Sequence, residues 1–170
     1  MLNKTTPVPV DWTLIPAAGK EIELVRERCR RLVRRRAAIS AGVSAVPIPG
    51  VDVLSDLTLF KKLVDDVNSA FGLTPEQIDR LEPGHKLIAY KVAVGVGGVM
   101  VGKLITRELL TQIFKRIGLK YMAKSASRYV PIAGQIASAA IGFTMFRKLG
   151  YEHVEACAKV ANELIVVRPS

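Results

Sequence analysis

Val46-Pro47-Ile48-Pro49-Gly50-Val51-Asp52 is the stretch whose reading decides the fold. Each proline removes a backbone donor and pushes the residue before it out of the α region, and Gly50 permits a turn, so a helix arriving here must stop. Beyond it, Val53, Leu57, Phe60, Val64, Val67 and Phe71 step by four, three, four, three and four, which is one stripe of a helix. Asp52 sits in the first turn, where a carboxylate favours the helix dipole. Before it, Ile22, Val25, Cys29, Leu32 and Ile39 recur at three, four, three and seven, the stripe of an amphipathic helix starting near Lys20. The device returns as Val130-Pro131-Ile132-Ala133-Gly134, identical in four of five positions and again ahead of an apolar helix. These observations predict an all-α fold: a compact helical bundle with two pseudo-repeated helix-proline/glycine turn-helix units. Pro47, Pro49, Gly50, Asp52, Pro131 and Gly134 are its structural turn residues.

Residues 5–19 are proline-rich and aperiodic, so residues 1–19 read as an extended N-terminal arm, with Trp12, Leu14 and Ile15 as docking side chains. Residues 20–170 read as a single α-helical domain. Gly72 ends the helix that begins at Asp52. Thr74-Pro75-Glu76-Gln77 is a helix start with a threonine N-cap, proline at the first position and glutamine at the capping-box position, and Pro83-Gly84 closes that short helix. Residues 86–118 are ambiguous: Val92, Val94 and Val96 alternate with glycines like a strand, while Ala89, Ala93 and Gly97 stack at four-residue steps. A helix throughout is the preferred reading. Gly98 and Gly102 then form a small pair for close helix packing, in lipid or in a tight bundle. A final helix over 151–166 supplies Val154, Ala158, Ala161 and Ile165 to the core.

The 170 residues carry 25 Lys and Arg against 15 Asp and Glu, a net charge of +10, yet 49% of them are apolar, which excludes a disordered polycation. The first 85 residues hold 12 basic and 11 acidic side chains, the last 85 hold 13 and 4. Within the first half, Arg26, Arg28, Arg30, Arg31, Arg34, Arg35 and Arg36 crowd into eleven residues with Glu27 as their only acid. Such a block faces water, phosphate or an acidic partner. Residues 1–16 lack the apolar run of a secretory signal, so the mature chain is expected to start near Met1. The longest uncharged stretches are 37–51, 92–102 and 129–146, and the last is a poor membrane span, interrupted by Pro131, Gly134 and Gln135.

Two cysteines and two histidines are too few for a disulfide framework or a structural zinc site. His153 and Cys157 lie one helical turn apart, but two ligands do not make a metal site, and ordinary burial of cysteine explains them better. Gly95-Val96-Gly97-Gly98 lacks the strand, lysine and serine of a phosphate loop. Asp52 with Asp56, and Asp65 with Asp66, read as a helix cap and a solvated face. No nucleophile has an identifiable base, so neither a catalytic residue, a cofactor nor a metal is assigned and the chain reads as non-enzymatic. Nucleic acid is disfavoured as a partner by the low aromatic content of 6% and the lack of a recognition motif.

Arg35-Arg36-Ala37-Ala38-Ile39, followed by the element at 46–52, an apolar helix and Phe71-Gly72-Leu73, resembles the bacterial domain of unknown function numbered 697. That domain occurs alone, C-terminal to small GTPase domains, and in inner-membrane proteins of the YcjF type. The second element at 129–134, leading to Phe146-Arg147-Lys148-Leu149-Gly150, fits the same pattern, and the similarity covers about residues 34–161. The resemblance implies an α-helical, membrane-associated or GTPase-associated accessory domain with no established catalytic residues. This chain differs from the GTPase-linked members in carrying no GTPase domain.

The expectation is therefore a basic helical accessory domain at the cytoplasmic face of a membrane, peripheral or partly inserted. Arg26, Arg30, Arg31, Arg34, Arg35 and Arg36 are its lipid- or partner-binding residues, facing anionic headgroups, with a GTPase as a candidate protein partner. The alternative is a soluble, cytoplasmic helical adaptor or immunity-type protein that binds an acidic protein partner. Self-association into a homo-oligomer stays open in both.

Overall fold

The computed structural model describes residues 9–44, 52–125 and 134–168. Among these the chain is all-α, a helical bundle with no strand. One turn of 3-10 helix at Trp12–Leu14 precedes α1 (Gly19–Ser44), α2 (Asp52–Ala70), α3 (Pro75–Arg80), α4 (Pro83–Gly95), α5 (Arg107–Ser125) and α6 (Gly134–Val166). Pro47, Pro49, Gly50 and Pro131 lie outside the described residues. The helices flanking them begin where the turn reading requires: α2 at Asp52 and α6 at Gly134.

The chain divides into two compact units. The first comprises Met1–Cys29, Asp66–Leu104 and Glu152–Ser170; the second comprises Arg30–Asp65 and Ile105–Tyr151. The second unit therefore gathers the two helix-turn-helix repeats that the sequence shows. Its core is aromatic: Phe60 of α2 packs edge to face on Phe114 of α5 at 5.2 Å and on Phe146 of α6 at 5.0 Å. Such offset geometry suits the quadrupoles of the rings. Behind them Gly150 approaches α1 and α2 so closely that a Cβ there would lie 2.7 Å from Val33 Cγ1 and 3.1 Å from Leu63 Cδ2.

In the first unit the N-terminal arm is docked. Asp11 starts the 3-10 turn by accepting from the Thr13 backbone N–H at 2.9 Å and its hydroxyl at 2.6 Å, and these bonds hold its carboxyl below the usual range. The buried Gln77 amide clamps the Asp11 backbone, donating to its carbonyl at 3.2 Å and accepting from its N–H at 3.1 Å. Ile15 is buried, Trp12 is half-buried with its ring edge-on to His85, and Leu14 is exposed. Thr74 caps α3 as its sequence predicts, its hydroxyl accepting from the Gln77 N–H at 3.3 Å.

Four boundaries and faces depart from the sequence reading. Pro83-Gly84 opens α4 instead of closing α3, because α3 already ends at Arg80 and a proline at the first helical position gives up no intrahelical bond. The continuous helix expected over 86–118 breaks after Gly95. Gly97 and Gly102 adopt φ of +72° and +61°, a left-handed backbone that glycine enters freely, and the Gly98 N–H reaches back to the Ala93 carbonyl at 2.6 Å as a helix stop. The apolar segment after Gly134 and the expected closing helix are one helix of 33 residues. On α1 the buried stripe runs Ile22, Cys29, Val33, Ala37 and Ser40, and Ile39 is exposed. Seventeen residues separate Ile22 from Ile39, which leaves the latter about 100° off the starting face of a straight helix.

Candidate functional site

The division into units redistributes the charge. The second unit holds 15 Lys and Arg against 4 Asp and Glu, a net of +11, while the first holds 10 against 11, a net of −1. All the basic excess of the chain thus belongs to the two repeats.

On α1 of the second unit, Arg31, Arg34 and Arg35 are exposed at spacings of three and four, so they share one helix face. Ala38, Ile39 and Gly42 continue that face toward the C-terminal end of α1 and are exposed as well, Ile39 by 49%. The surface is therefore cationic at one end and apolar at the other. The remaining arginines of the sequence-predicted set are not all available. Arg26, in the first unit, donates to Glu155 Oε1 at 3.0 Å and to Glu23 at 3.0 and 3.2 Å, with a 2.7 Å ion pair to Glu155 Oε2. The Glu155 bond above all raises its pKa, and its charge is already compensated. Arg30 lies over the Tyr151 ring at 5.0 Å, and Arg36 is half-buried with contacts of its own. Packing thus divides the predicted block into three exposed cations and three that work within the fold.

A second feature of this unit has no counterpart in the sequence reading. Between α2, α5 and α6 lies an apolar cavity of about 330 Å³ lined by Leu57, Thr111, Phe114, Lys115, Gly142, Met145 and Phe146. Two of its walls are the rings braced by Phe60. Its sequence signal was faint: three of the chain's five phenylalanines converge here, and a glycine, Gly142, stands in a helix interior, where none of the described residues lies within 4 Å of the position a Cβ would take.

The first unit carries the other chemistry-bearing cluster. Cys157 Sγ lies 3.4 Å from Asn68 Oδ1, to which its S–H donates, and 3.6 Å from His153 Nε2, and all three residues are buried. A cysteine, a histidine and an amide are the parts of a thiol nucleophile. Here burial drives the Cys157 thiol well above its ordinary pKa, as it drives Cys29 up to about 11, so both stay protonated at neutral pH. The cluster acts as a polar clasp: Asn68 Nδ2 also donates to the Met100 carbonyl at 3.3 Å and fastens the glycine loop to α2. Gly98 and Gly102 belong to that loop, not to a helix pair. A Cβ on Gly98 would sit 2.6 Å from Ala156 Cβ, and one on Gly102 would overlap Ile78. Close packing is their role, as the sequence suggests, but with loop backbone as one partner.

Among the described residues, no three His, Cys, Asp or Glu side chains converge as metal ligands, and no helix is long and apolar enough to cross a membrane. No family model, curated protein or solved structure matches the chain.

Proposed function

We propose that this protein is a non-enzymatic accessory domain that docks on anionic membrane lipid through its second unit. The observation that carries the reading is the segregation of charge: a net of +11 in one unit, with Arg31, Arg34 and Arg35 on one exposed face of α1 beside an exposed isoleucine. Basic side chains near an anionic leaflet contribute about 1 kcal/mol each, and an adjoining apolar side chain can enter the interfacial region. The cytoplasmic face of a membrane, where anionic lipid is concentrated, is the place such a surface fits. The resemblance of residues 34–161 to GTPase-associated domains supports a GTPase as a protein partner.

Sedimentation with vesicles tests this. The protein should pellet with vesicles containing roughly one-third phosphatidylglycerol and not with pure phosphatidylcholine, and binding should fall steeply between about 0.05 M and about 0.5 M salt. Equal binding to both vesicle types would defeat the electrostatic mechanism. No binding to either, together with a salt-sensitive complex with an acidic protein, would establish the adaptor reading in its place.

A further inference from the structure

The cavity of the second unit has a composition that restricts its occupant. Leu57, Phe114, Met145 and Phe146 make it a hydrocarbon-lined site, and among the described residues that line it Thr111 and Lys115 bring the polar side chains. The Thr111 hydroxyl already donates to the Arg107 carbonyl at 2.8 Å, one turn back in its own helix. Lys115 is exposed, one helical turn further along α5, and so brings a cation to the mouth of an apolar hole. At about 330 Å³ the cavity falls at the small end of ligand pockets, which run from about 300 to about 1,000 Å³. It has room for one chain and not for a two-chain lipid.

Gly142 is the second observation. A glycine inside a helix costs about 1 kcal/mol relative to alanine, and it is usually tolerated where a neighbour needs the space. At Gly98 and Gly150 a neighbouring side chain occupies that space; at Gly142, a wall of the cavity, none of the described residues comes within 4 Å of it. The missing side chain keeps the cavity open.

We propose that this cavity binds a free medium-chain fatty acid, its hydrocarbon tail between Phe114 and Phe146 and its carboxylate at the Lys115 ammonium. The charge of the unit complements the carboxylate and opposes a cationic amphiphile of the same length. This inference does not depend on vesicle docking, which uses the exposed face of α1.

Calorimetric titration of the full chain with dodecanoate below its micellar concentration tests it. One equivalent should bind. Replacing Gly142 by alanine, valine and leucine should weaken binding in that order, by at least about tenfold for Gly142→Leu, as the side chain fills the cavity. The helix tolerates these changes, so far-UV circular dichroism should be unaltered. Lys115→Ala should cost roughly fivefold to tenfold, and dodecyltrimethylammonium should not bind. Many equivalents per chain, affinity indifferent to Gly142→Leu, or equal binding of the cationic amphiphile would each overturn the proposal. Vesicle sedimentation of Gly142→Leu keeps the two ideas apart, since a filled cavity leaves the α1 face intact.

Discussion

The two units of this chain solve the same packing problem with opposite chemistry. The first is nearly neutral and uses polar groups inside, a glutamine clamp on the arm and an asparagine between a thiol and a loop carbonyl, with a part-exposed ion pair from Arg26 to Glu155 at its surface. The second carries the whole basic excess of the chain and has a cluster of three phenylalanines inside, next to an open cavity. Directional bonds give the first unit a defined interior in which every partner matters. Rings beside an unfilled space give the second an interior that depends on volume. The lesson is that net charge describes a surface, and its meaning appears only when the chain is divided as the fold divides it.

The largest effect that would sharpen this contrast is on membrane affinity. Reversing Arg31, Arg34 and Arg35 together to glutamate should weaken binding to anionic vesicles by roughly a hundredfold or more, at about 1 kcal/mol for each charge lost and more for its reversal. Reversing exposed cations of the first unit, such as Lys20, Arg28 and Lys159, should change it far less. Equal losses from the two triple variants, read by vesicle sedimentation, would erase the distinction and leave only total charge as the cause.

Burial of the thiols gives the next effect, on stability against pH. Cys29 is buried and its folded-state pKa is pushed up to about 11 from an ordinary value of 9.0. The folded state therefore holds the proton more tightly. Stability from this group is intact below about pH 9 and declines as pH rises toward 11, by up to about 3 kcal/mol. Urea unfolding followed by the emission of Trp12, the only tryptophan and a member of the first unit, should show that decline. Cys29→Ala should lessen the decline, the rest of it belonging to the buried Cys157; parallel curves for the two proteins would show that the Cys29 thiol is not a source.

Asn68→Ala probes the clasp itself. It strands the Met100 carbonyl and removes the acceptor of the Cys157 thiol, so a loss of about 2 kcal/mol is expected from unsatisfied buried groups. Asn68→Leu should do no better, since the carbonyl remains unanswered. A neutral result in urea titrations of both variants would mean that the polar interior of the first unit adds nothing to its stability.

Much of the architecture was legible because the signals were local. The Thr74 cap, the start of α2 at Asp52, its buried residues Leu57, Phe60, Val64 and Val67 and the buried Phe71 just beyond its end follow from turn chemistry and a period carried over a few turns. The break after Gly95 was not legible, since Ala89, Ala93 and Gly97 continue a helical period through the residues where glycine backbone leaves the helix. The arginine block was visible as composition, but which arginines are exposed depends on Glu155 and Tyr151, more than a hundred residues away in sequence. The cavity was invisible for the same reason: it is a property of three helices at once, and nothing local in the sequence sets Gly142 apart from the other glycines whose Cβ position is equally open, Gly42 of α1 among them.

The smallest effect is also the one that separates the units by sign. Arg26 and Glu155 are both part-exposed, with side chains 28% and 39% accessible, so their pair should contribute only about 0.5 kcal/mol in a double-mutant cycle to alanine, and salt should diminish that coupling. The second unit is under self-repulsion, so salt should act there in the opposite direction: Arg34→Gln should stabilise the protein by a few tenths of a kcal/mol at low ionic strength and by nothing at high. Each sign follows from the charges nearby, a carboxylate in one unit and a surplus of cations in the other. Urea titrations at two salt concentrations measure both. A coupling that grows with salt, or an Arg34→Gln variant that is less stable at low salt, would mean that local pairing and not the charge of the whole unit governs its electrostatics.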